Sequence, residues 1–247
     1  MRIAVAGGTG RVGRHVVDVL KERGHEPVSI SRANGVDVIT GEGLAEALAG
    51  AQVIIDTATS PSPDEQSATE FFTTETRNLQ QEGERAGVKR IVVVSIVNTD
   101  RMSEGYGVAK VAHEKAMLAG PIPVRILRAT QFHEFVQQLV DWGRDGDVSH
   151  VWKMQTQLVA ARSVAEALVD LALEETPSNG QISEIAGPRP ENLAEMARLL
   201  VQHSGESLRI QEDDAPFDAE AYASGTALPG PNAKLAGPTF EEWLEAS

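Results

Sequence analysis

The sequence predicts an α/β protein built on a doubly wound parallel sheet, with a small C-terminal lobe. Three observations lead there. Apolar and β-branched runs such as Val53-Ile54-Ile55-Asp56 and Ile91-Val92-Val93-Val94-Ser95 recur along the first 130 positions, and an uninterrupted apolar run suits a strand buried on both faces. Segments with helical spacing separate these runs, the alternation expected of a parallel sheet with crossover helices. At 247 residues and 41% hydrophobic content, the chain is long enough to bury one large core, with a smaller lobe beside it.

The first strand is Arg2-Ile3-Ala4-Val5-Ala6. A glycine-rich turn follows, and Val12 to Leu20 repeats apolar residues at helical spacing. Glu26 to Ser31 is a second strand, Val36-Asp37-Val38 a short third, and Leu44 to Leu48 a helix. After the apolar strand at 53–56 comes a loop rich in Ser, Thr and Pro from Thr57 to Asp64. A long helix from Glu65 to Ala86, a strand at 91–95, a helix from Tyr106 to Leu118 and a strand from Val124 to Arg128 complete the alternation. Beyond it the rhythm changes. Phe132 to Trp142 is a helix, Gly143 to Gln157 a polar loop, and Ser163-Val164-Ala165-Glu166 a capping box opening another helix. Ile182 to Ile185 is a strand, Leu193 to His203 a helix, and Ala215 to Gly237 loop-like, with Pro216, Pro229 and Pro231 in it and Pro238 just beyond. The division is then 1–130 for the sheet domain and 131–247 for a substrate lobe, with some segments returning to the sheet. That lobe is expected to cover the carboxyl edge of the strands, where open α/β sheets bind ligands.

Gly7, Gly10 and Gly13 keep a three-residue spacing between strand and helix. Such a turn lets backbone approach a pyrophosphate, whose charge sits at the helix N-terminus. A bare strand-to-helix turn needs fewer glycines. The stretch is therefore assigned to dinucleotide binding, with Thr9, Arg11 and Val12 between the glycines and Thr57 at the next loop as further contacts. The end of the second strand distinguishes NAD from NADP. An acid there bonds a ribose 2′-hydroxyl, whereas an arginine accommodates a 2′-phosphate. Ser31-Arg32 stands at that place, with no acid before Asp37. Arginine offers paired donors to a phosphate, and Arg11 adds a second positive charge. NADP(H) is expected over NAD.

Ser95 ends an apolar strand, and Tyr106 and Lys110 are four apart on one helix face. A tyrosine with a pKa near ten is a poor acid–base at neutral pH, and a neighbouring ammonium favours its phenolate. Ser95 then holds a substrate oxygen while Tyr106 gives or takes its proton. With two tyrosines in the whole chain, this placement is unexpected by chance.

The glycine turn, Ser95 and Tyr106-Gly107-Val108-Ala109-Lys110 resemble the short-chain dehydrogenase/reductase superfamily. Ile126-Leu127-Arg128-Ala129-Thr130-Gln131-Phe132-His133-Glu134-Phe135, Val159 to Ala165 and Ala186-Gly187-Pro188-Arg189 resemble its atypical, NmrA-like branch, so the likeness runs along essentially the whole chain. It implies a Rossmann-like domain, NAD(P)-dependent oxidoreduction and catalysis by Ser95, Tyr106 and Lys110, with Lys110 also on the cofactor ribose. It also implies that Thr130, Gln131 and Phe132 lie near the nicotinamide. The branch includes NADP-binding regulators without turnover, which usually lack the Tyr–Lys pair kept here. Asn78 occupies the long helix where relatives carry a water-relay asparagine, though its residue type fits a helix surface. His133 is either packed or part of a pocket. His150, Trp152 and Met154 either line a substrate pocket or pack down, and Asp56 is expected to be structural.

The formal net charge of −14 argues against nucleic acid and anionic membrane partners. The absence of cysteine excludes disulfides and thiolate chemistry, and the six histidines show no metal spacing, so no metal is expected. No apolar run reaches membrane-span length and no signal peptide precedes the first strand, which points to the cytoplasm. The expected protein is a monomer or homodimer acting on a small molecule, carbonyl- or quinone-like, by hydride transfer. The alternatives are a non-catalytic NADP(H) sensor acting through a protein partner, and a scaffold that the cofactor merely stabilises.

Overall fold

The computed structural model describes residues 1–174, 181–215 and 218–246. In order, the elements are β1 (Arg2–Ala6), α1 (Gly13–Glu22), β2 (Glu26–Ile30), α2 (Leu44–Leu48), β3 (Val53–Asp56), α3 (Glu65–Ala86), β4 (Arg90–Ile96), α4 (Tyr106–Leu118), β5 (Val124–Ala129) and α5 (His133–Trp142). There follow β6 (Arg144–Asp145), β7 (Val148–Trp152), β8 (Gln155–Thr156), α6 (Ala161–Leu173), β9 (Ile182–Ala186), β10 (Glu191–Asn192) and α7 (Leu193–Ser204). The last are β11 (Arg209–Asp213), α8 (Ala219–Ala223), β12 (Lys234–Leu235) and α9 (Phe240–Glu245). Among the described residues no helix is long and apolar enough to cross a membrane.

A seven-stranded sheet has the order β12-β9-β5-β4-β3-β1-β2. The pairs β1/β2, β1/β3, β3/β4 and β9/β12 are parallel, as the doubly wound reading requires. The contacts fall into two compact units. One comprises Met1–Ser95, Glu104–Leu127 and the described part of Val164–Ser183, the other Ile96–Ser103, Arg128–Ser163 and the described part of Glu184–Ser247.

In the first unit β1 and β3 are buried almost end to end, which explains their unbroken apolar sequences. Helix α1 buries Val16, Val19 and Leu20, the i, i+3, i+4 set of a single face. Each such side chain contributes about 1.5–3 kcal/mol when buried. Asp64 caps α3 by accepting from the Ser67 N–H, and Gly87 ends the helix at φ 77°. In the second unit, Val136, Leu139 and Val140 of α5 share a core with Leu193, Met196 and Ala197 of α7 and with Phe240.

Five expectations are corrected. Val36-Asp37-Val38 is not a strand but part of a turn between Gly35 and Gly41, both at positive φ. Its backbone is held by side chains instead of a ladder: Asp37 Oδ1 accepts from the Ile39 N–H, and Asn78 Nδ2 donates to the Val38 and Ile39 carbonyls. Asn78 is therefore a tether rather than a helix-surface residue. The polar stretch 143–157 carries β6, β7 and β8, which form a three-stranded sheet of order β11-β7-β6 and a two-stranded sheet of β10 and β8. Helix α6 starts at Ala161, and the Ser163 N–H already donates to the Ala160 carbonyl, so Ser163 lies inside the first turn and not at the cap. The 215–237 stretch contains α8 and β12, while Pro216 lies outside the described residues.

Candidate functional site

The register of the first three strands builds the site. Ala6 stands beside Ile30 on one flank and Asp56 on the other, so the chain leaves the sheet side by side at Gly7, Ser31 and Thr57. Gly7 adopts φ +70°, and a Cβ on it would lie 2.8 Å from the Ala58 backbone. A Cβ on Gly13 would lie 2.1 Å from the Gly7 carbonyl oxygen and 2.7 Å from Thr57 Oγ1. Gly10 differs, since its Cβ would meet the Gly7 carbonyl oxygen alone, at 3.1 Å. Gly7 and Gly13 are therefore required by packing, and Gly10 keeps the turn open on its outer side. The cavity here measures about 830 Å³, and Gly7, Thr9, Gly10, Ser31, Arg32 and Thr57 all line it.

Other expected cofactor residues play supporting parts. Arg11 is exposed and outside the lining, Val12 is buried at the entry to α1, and Gly13 is spent on packing. Thr57 Oγ1 donates to the Ala6 carbonyl at 2.7 Å, tying the loop to β1. The Ser31 hydroxyl is buried with no hydrogen-bond partner among the described residues. Asp37 also lines the cavity. In the second unit, Thr130 Oγ1 donates to the Gln157 carbonyl at 2.5 Å, Gln131 Oε1 accepts from Thr156 Oγ1 at 2.5 Å, and Phe132 bridges to Val159.

Ser95 lies at the end of β4, 4% exposed, its Oγ without a partner among the described residues. Tyr106 opens α4, edge-on to Phe72 with ring centroids 5.7 Å apart. Lys110 is buried one turn on. Its ammonium donates to the Val94 carbonyl at 3.0 Å and to His113 Nδ1 at 2.8 Å, and it stands 4.4 Å above the Phe72 ring. The expected lowering of the Tyr106 phenol by Lys110 is reversed. Burial, and then the Glu75 carboxyl, push the phenol well above its ordinary range, although the Ser60 N–H works the other way.

The side chains behind Lys110 form a group drawn from three elements, which was not assembled from the sequence. Asp56 from β3, Glu75 from α3 and His113 from α4 are all at most 1% exposed. His113 Nε2 lies 3.2 Å from Asp56 Oδ2, at ion-pair distance without hydrogen-bond alignment. Asp56 Oδ1 accepts from the Ala58 N–H at 3.0 Å. Burial works to raise the Asp56 carboxyl, but His113, the Ala58 N–H and Lys110 together hold it below its usual value. No donor reaches either Glu75 oxygen among the described residues, and burial, then the Asp56 charge and a side-chain hydrogen bond with Asp56, push it well above the carboxylate range. Burial and the Lys110 charge push His113 down to about 4. Burial pulls Lys110 below its ordinary value, while Asp56, Glu75 and Glu114 pull the other way. One usable clue was present: Lys110 and His113 are three apart and share a helix face.

Asp56, Glu75 and His113 bring one potential ligand atom each within 4.8 Å of one another. An ammonium only donates, so His113 Nδ1 accepts from Lys110, which places the ring proton on Nε2 and leaves that nitrogen no lone pair for a cation. His133 proves to be packed: it is fully buried, its Nε2 faces the Pro238 carbonyl at 3.1 Å, and Phe240 and Trp243 flank the ring. His150 pairs with Asp213, Trp152 stacks on Tyr222 and Met154 is buried, so all three have structural partners.

A family model described as NAD(P)H-binding matches residues 7–175. The chain belongs to that NAD(P)H-binding family. Among curated relatives, a 3-beta-hydroxysteroid dehydrogenase of Mycolicibacterium neoaurum is 31% identical over a match covering 47% of this chain and 42% of that protein. The chain thus spans under half of that dehydrogenase. The photosystem II assembly factor Ycf39 of Synechocystis is 25% identical, the match covering 86% of this chain and 70% of that one. Among solved structures, an NAD-bound short-chain dehydrogenase/reductase superfamily protein of Agrobacterium tumefaciens aligns with TM-score 0.69 and 17% identity, covering 100% of this chain and 95% of its own. An NADPH-dependent quinone oxidoreductase of Escherichia coli aligns with TM-score 0.70 and 17% identity, covering 99% and 98%. The fold is shared with both structures. The cavity of this NAD(P)H-binding protein fits the group its family binds, because glycine backbone opens it, an unpartnered Ser31 hydroxyl stands in its wall and Arg32 supplies positive charge.

Proposed function

We propose that this NAD(P)H-binding protein is an oxidoreductase that acts on a carbonyl- or quinone-like small molecule and prefers NADPH. The observation that carries the reading is the meeting of cavity and acid–base in one unit. Ser60 lines the glycine-cradled cavity, and its backbone N–H faces the Tyr106 hydroxyl. Gly7, Thr9, Gly10 and Thr57 would hold the pyrophosphate side of the dinucleotide, with Ser31 and Arg32 at a ribose 2′-phosphate. When bound, the dinucleotide supplies the hydride.

The protein's own residues supply the proton and the positioning. Tyr106 donates its phenolic proton to the substrate oxygen during reduction, and takes it back in the reverse direction. The unpartnered Ser95 hydroxyl holds that oxygen in place. Lys110 is assigned to the cofactor ribose on the strength of the family resemblance, while its observed hydrogen bonds go to the Val94 carbonyl and to His113. Burial makes the Tyr106 phenol a weaker acid than a free tyrosine, so its role as donor rests on its place beside the cavity and on the family resemblance, not on its titration.

The test is a screen for NADPH oxidation by quinones, aldehydes and ketones, followed by Tyr106→Phe. The variant removes one hydroxyl and little volume. Turnover should fall about 10²–10⁴-fold, the share of general acid–base catalysis, with NADPH affinity unchanged. An unaltered rate overturns the assignment of Tyr106. The 86% coverage by an assembly factor supports a second reading, in which the dinucleotide-loaded protein binds a protein partner without turnover. That reading expects no oxidation of NADPH in the screen and partner binding that changes when NADPH is added.

A further inference from the structure

We infer that His113, itself oriented by Asp56, positions the Lys110 ammonium, and that Glu75 is the neutral acid that keeps this buried group of four free of net charge. The catalytic consequence rests on the oxidoreductase reading, whereas the arrangement itself can be tested without any substrate.

The ammonium of Lys110 has three hydrogens and nothing to accept with. One goes to the Val94 carbonyl, a second to His113 Nδ1, and the charge lies over the Phe72 ring. Its place is therefore fixed on three sides, one of them His113. The imidazole is fixed in turn. Phe72 stacks on it with centroids 4.5 Å apart and planes 14° from parallel. Its Nε2 faces Asp56 Oδ2 at 3.2 Å, and Asp56 is anchored by the Ala58 N–H. The order is Lys110 Nζ–H to Nδ1, then Nε2–H toward Asp56.

Charge completes the case. The groups facing Lys110 are Asp56 from β3, Glu75 from α3, and His113 and Glu114 from α4. An isolated buried charge is costly, so a group with no partner is held neutral. Lys110 and Asp56 cancel, His113 is neutral with one ring proton, and no donor reaches either Glu75 oxygen among the described residues. Glu75 thus carries its proton. Losing it would set Asp56 and Glu75 together against the one ammonium, which the Glu114 carboxyl also faces.

The test uses the full chain. Histidine labelled with nitrogen-15 should report His113 as the neutral Nε2–H tautomer from pH 5.5 to 8. Lysine labelled with carbon-13 should show Lys110 titrating below ordinary lysines, and lower still in H113L, where the acceptor is gone. H113Q, whose amide can accept from Lys110, should return the titration toward its original position. With NADPH and 1,4-benzoquinone, H113L should lower kcat about 10- to 100-fold, less than loss of the acid–base itself. Its alkaline limb should move to lower pH while KM stays within about twofold.

An Nδ1–H tautomer or an imidazolium at pH 7 overturns the proposal. So does a Lys110 titration that H113L leaves in place. Stoichiometric zinc binding that removes the Nε2–H signal overturns it in favour of a metal site. Failure of benzoquinone turnover counts against the oxidoreductase reading alone, because the tautomer and the lysine titration decide this one. If H113L does not fold, H113Q and the tautomer carry the decision.

Discussion

The glycine turn at 7–13 and the ionisable group of Asp56, Glu75, Lys110 and His113 belong to the same unit, but they are built in opposite ways. The turn is backbone chemistry, local in sequence. Its tightest contact, Gly13 against the Gly7 carbonyl oxygen, joins residues of one short stretch. The ionisable group is side-chain chemistry gathered from β3, α3 and α4. The turn tolerates no added atom at Gly7 or Gly13, and its one ionisable side chain, Arg11, is exposed. The group behind Lys110 gathers buried polar atoms of Asp56, Glu75 and His113 within reach of one another and depends on where its protons sit. One region should therefore respond to volume and the other to pH.

The largest effect belongs to the ionisable group. His113 and, in the second unit, His133 are both pushed down to about 4, each first by burial. An unfolded histidine titrates near 6.5. Between pH 6.5 and 4 the unfolded chain binds protons that the folded rings refuse, so stability falls as pH falls across that window. Each ring accounts for about 3 kcal/mol. Glu75 works in the other direction. Its raised carboxyl keeps a proton that the unfolded chain loses above about 4.5, so its contribution shrinks as pH rises. In urea unfolding from pH 6.5 to 4.5, the unmodified protein should lose the stability of about one net proton, and Glu75→Gln that of about two. Equal slopes in the two proteins would remove Glu75 from the group as described.

The turn is broken by volume. Gly13→Ala puts a methyl 2.1 Å from the Gly7 carbonyl oxygen, backbone that cannot swing aside. Overpacking of this kind should cost about 2–3 kcal/mol in urea unfolding, at every pH. Gly10→Ala meets a single atom at 3.1 Å and should keep most of its stability while weakening NADPH binding measured by calorimetry. If both variants unfold alike, the separation of packing glycines from the open one fails.

How much was legible follows from the same contrast. The strand, turn and helix at 2–22, the capped helix at 65–86 and the helix opened by Tyr106 were all written in contiguous spacing. The strand-end place of Ser95 and the shared helix of Tyr106 and Lys110 were legible, but not the direction of the Tyr106 shift, because Glu75 and Ser60 reach it from other elements. Strand β7 was hidden for a different reason. Its inward Ser149 is polar and satisfied by the Val140 carbonyl, and its partner β11 lies far along the chain. Polar residues whose partners are distant look like loop until the topology supplies those partners. The Asp37 turn was mistaken for a strand because apolar alternation over three residues cannot outweigh flanking glycines.

The smallest effect sharpens the comparison at the rim of the cavity, where backbone and charge meet. Arg32 follows β2 and lines the cavity with Ser31, whose buried hydroxyl lacks a partner. A guanidinium there should favour a dinucleotide with a 2′-phosphate over one without. The side chain is exposed, so water and salt weaken the contact. Asp37, also in the lining, opposes a phosphate with its own charge, although one of its oxygens is engaged by the Ile39 N–H. The preference for NADPH over NADH should then be about tenfold, near 1.5 kcal/mol, the low end for a charged hydrogen bond. Arg32→Ala should bring the two affinities together by weakening NADPH and leaving NADH where it was. The gap should also narrow as salt is raised, which a shape-based preference would not do. Equal affinities in the unmodified protein at low salt would exclude a 2′-phosphate site at Ser31-Arg32, and would point to the Asp37 carboxylate as the group that meets the ribose.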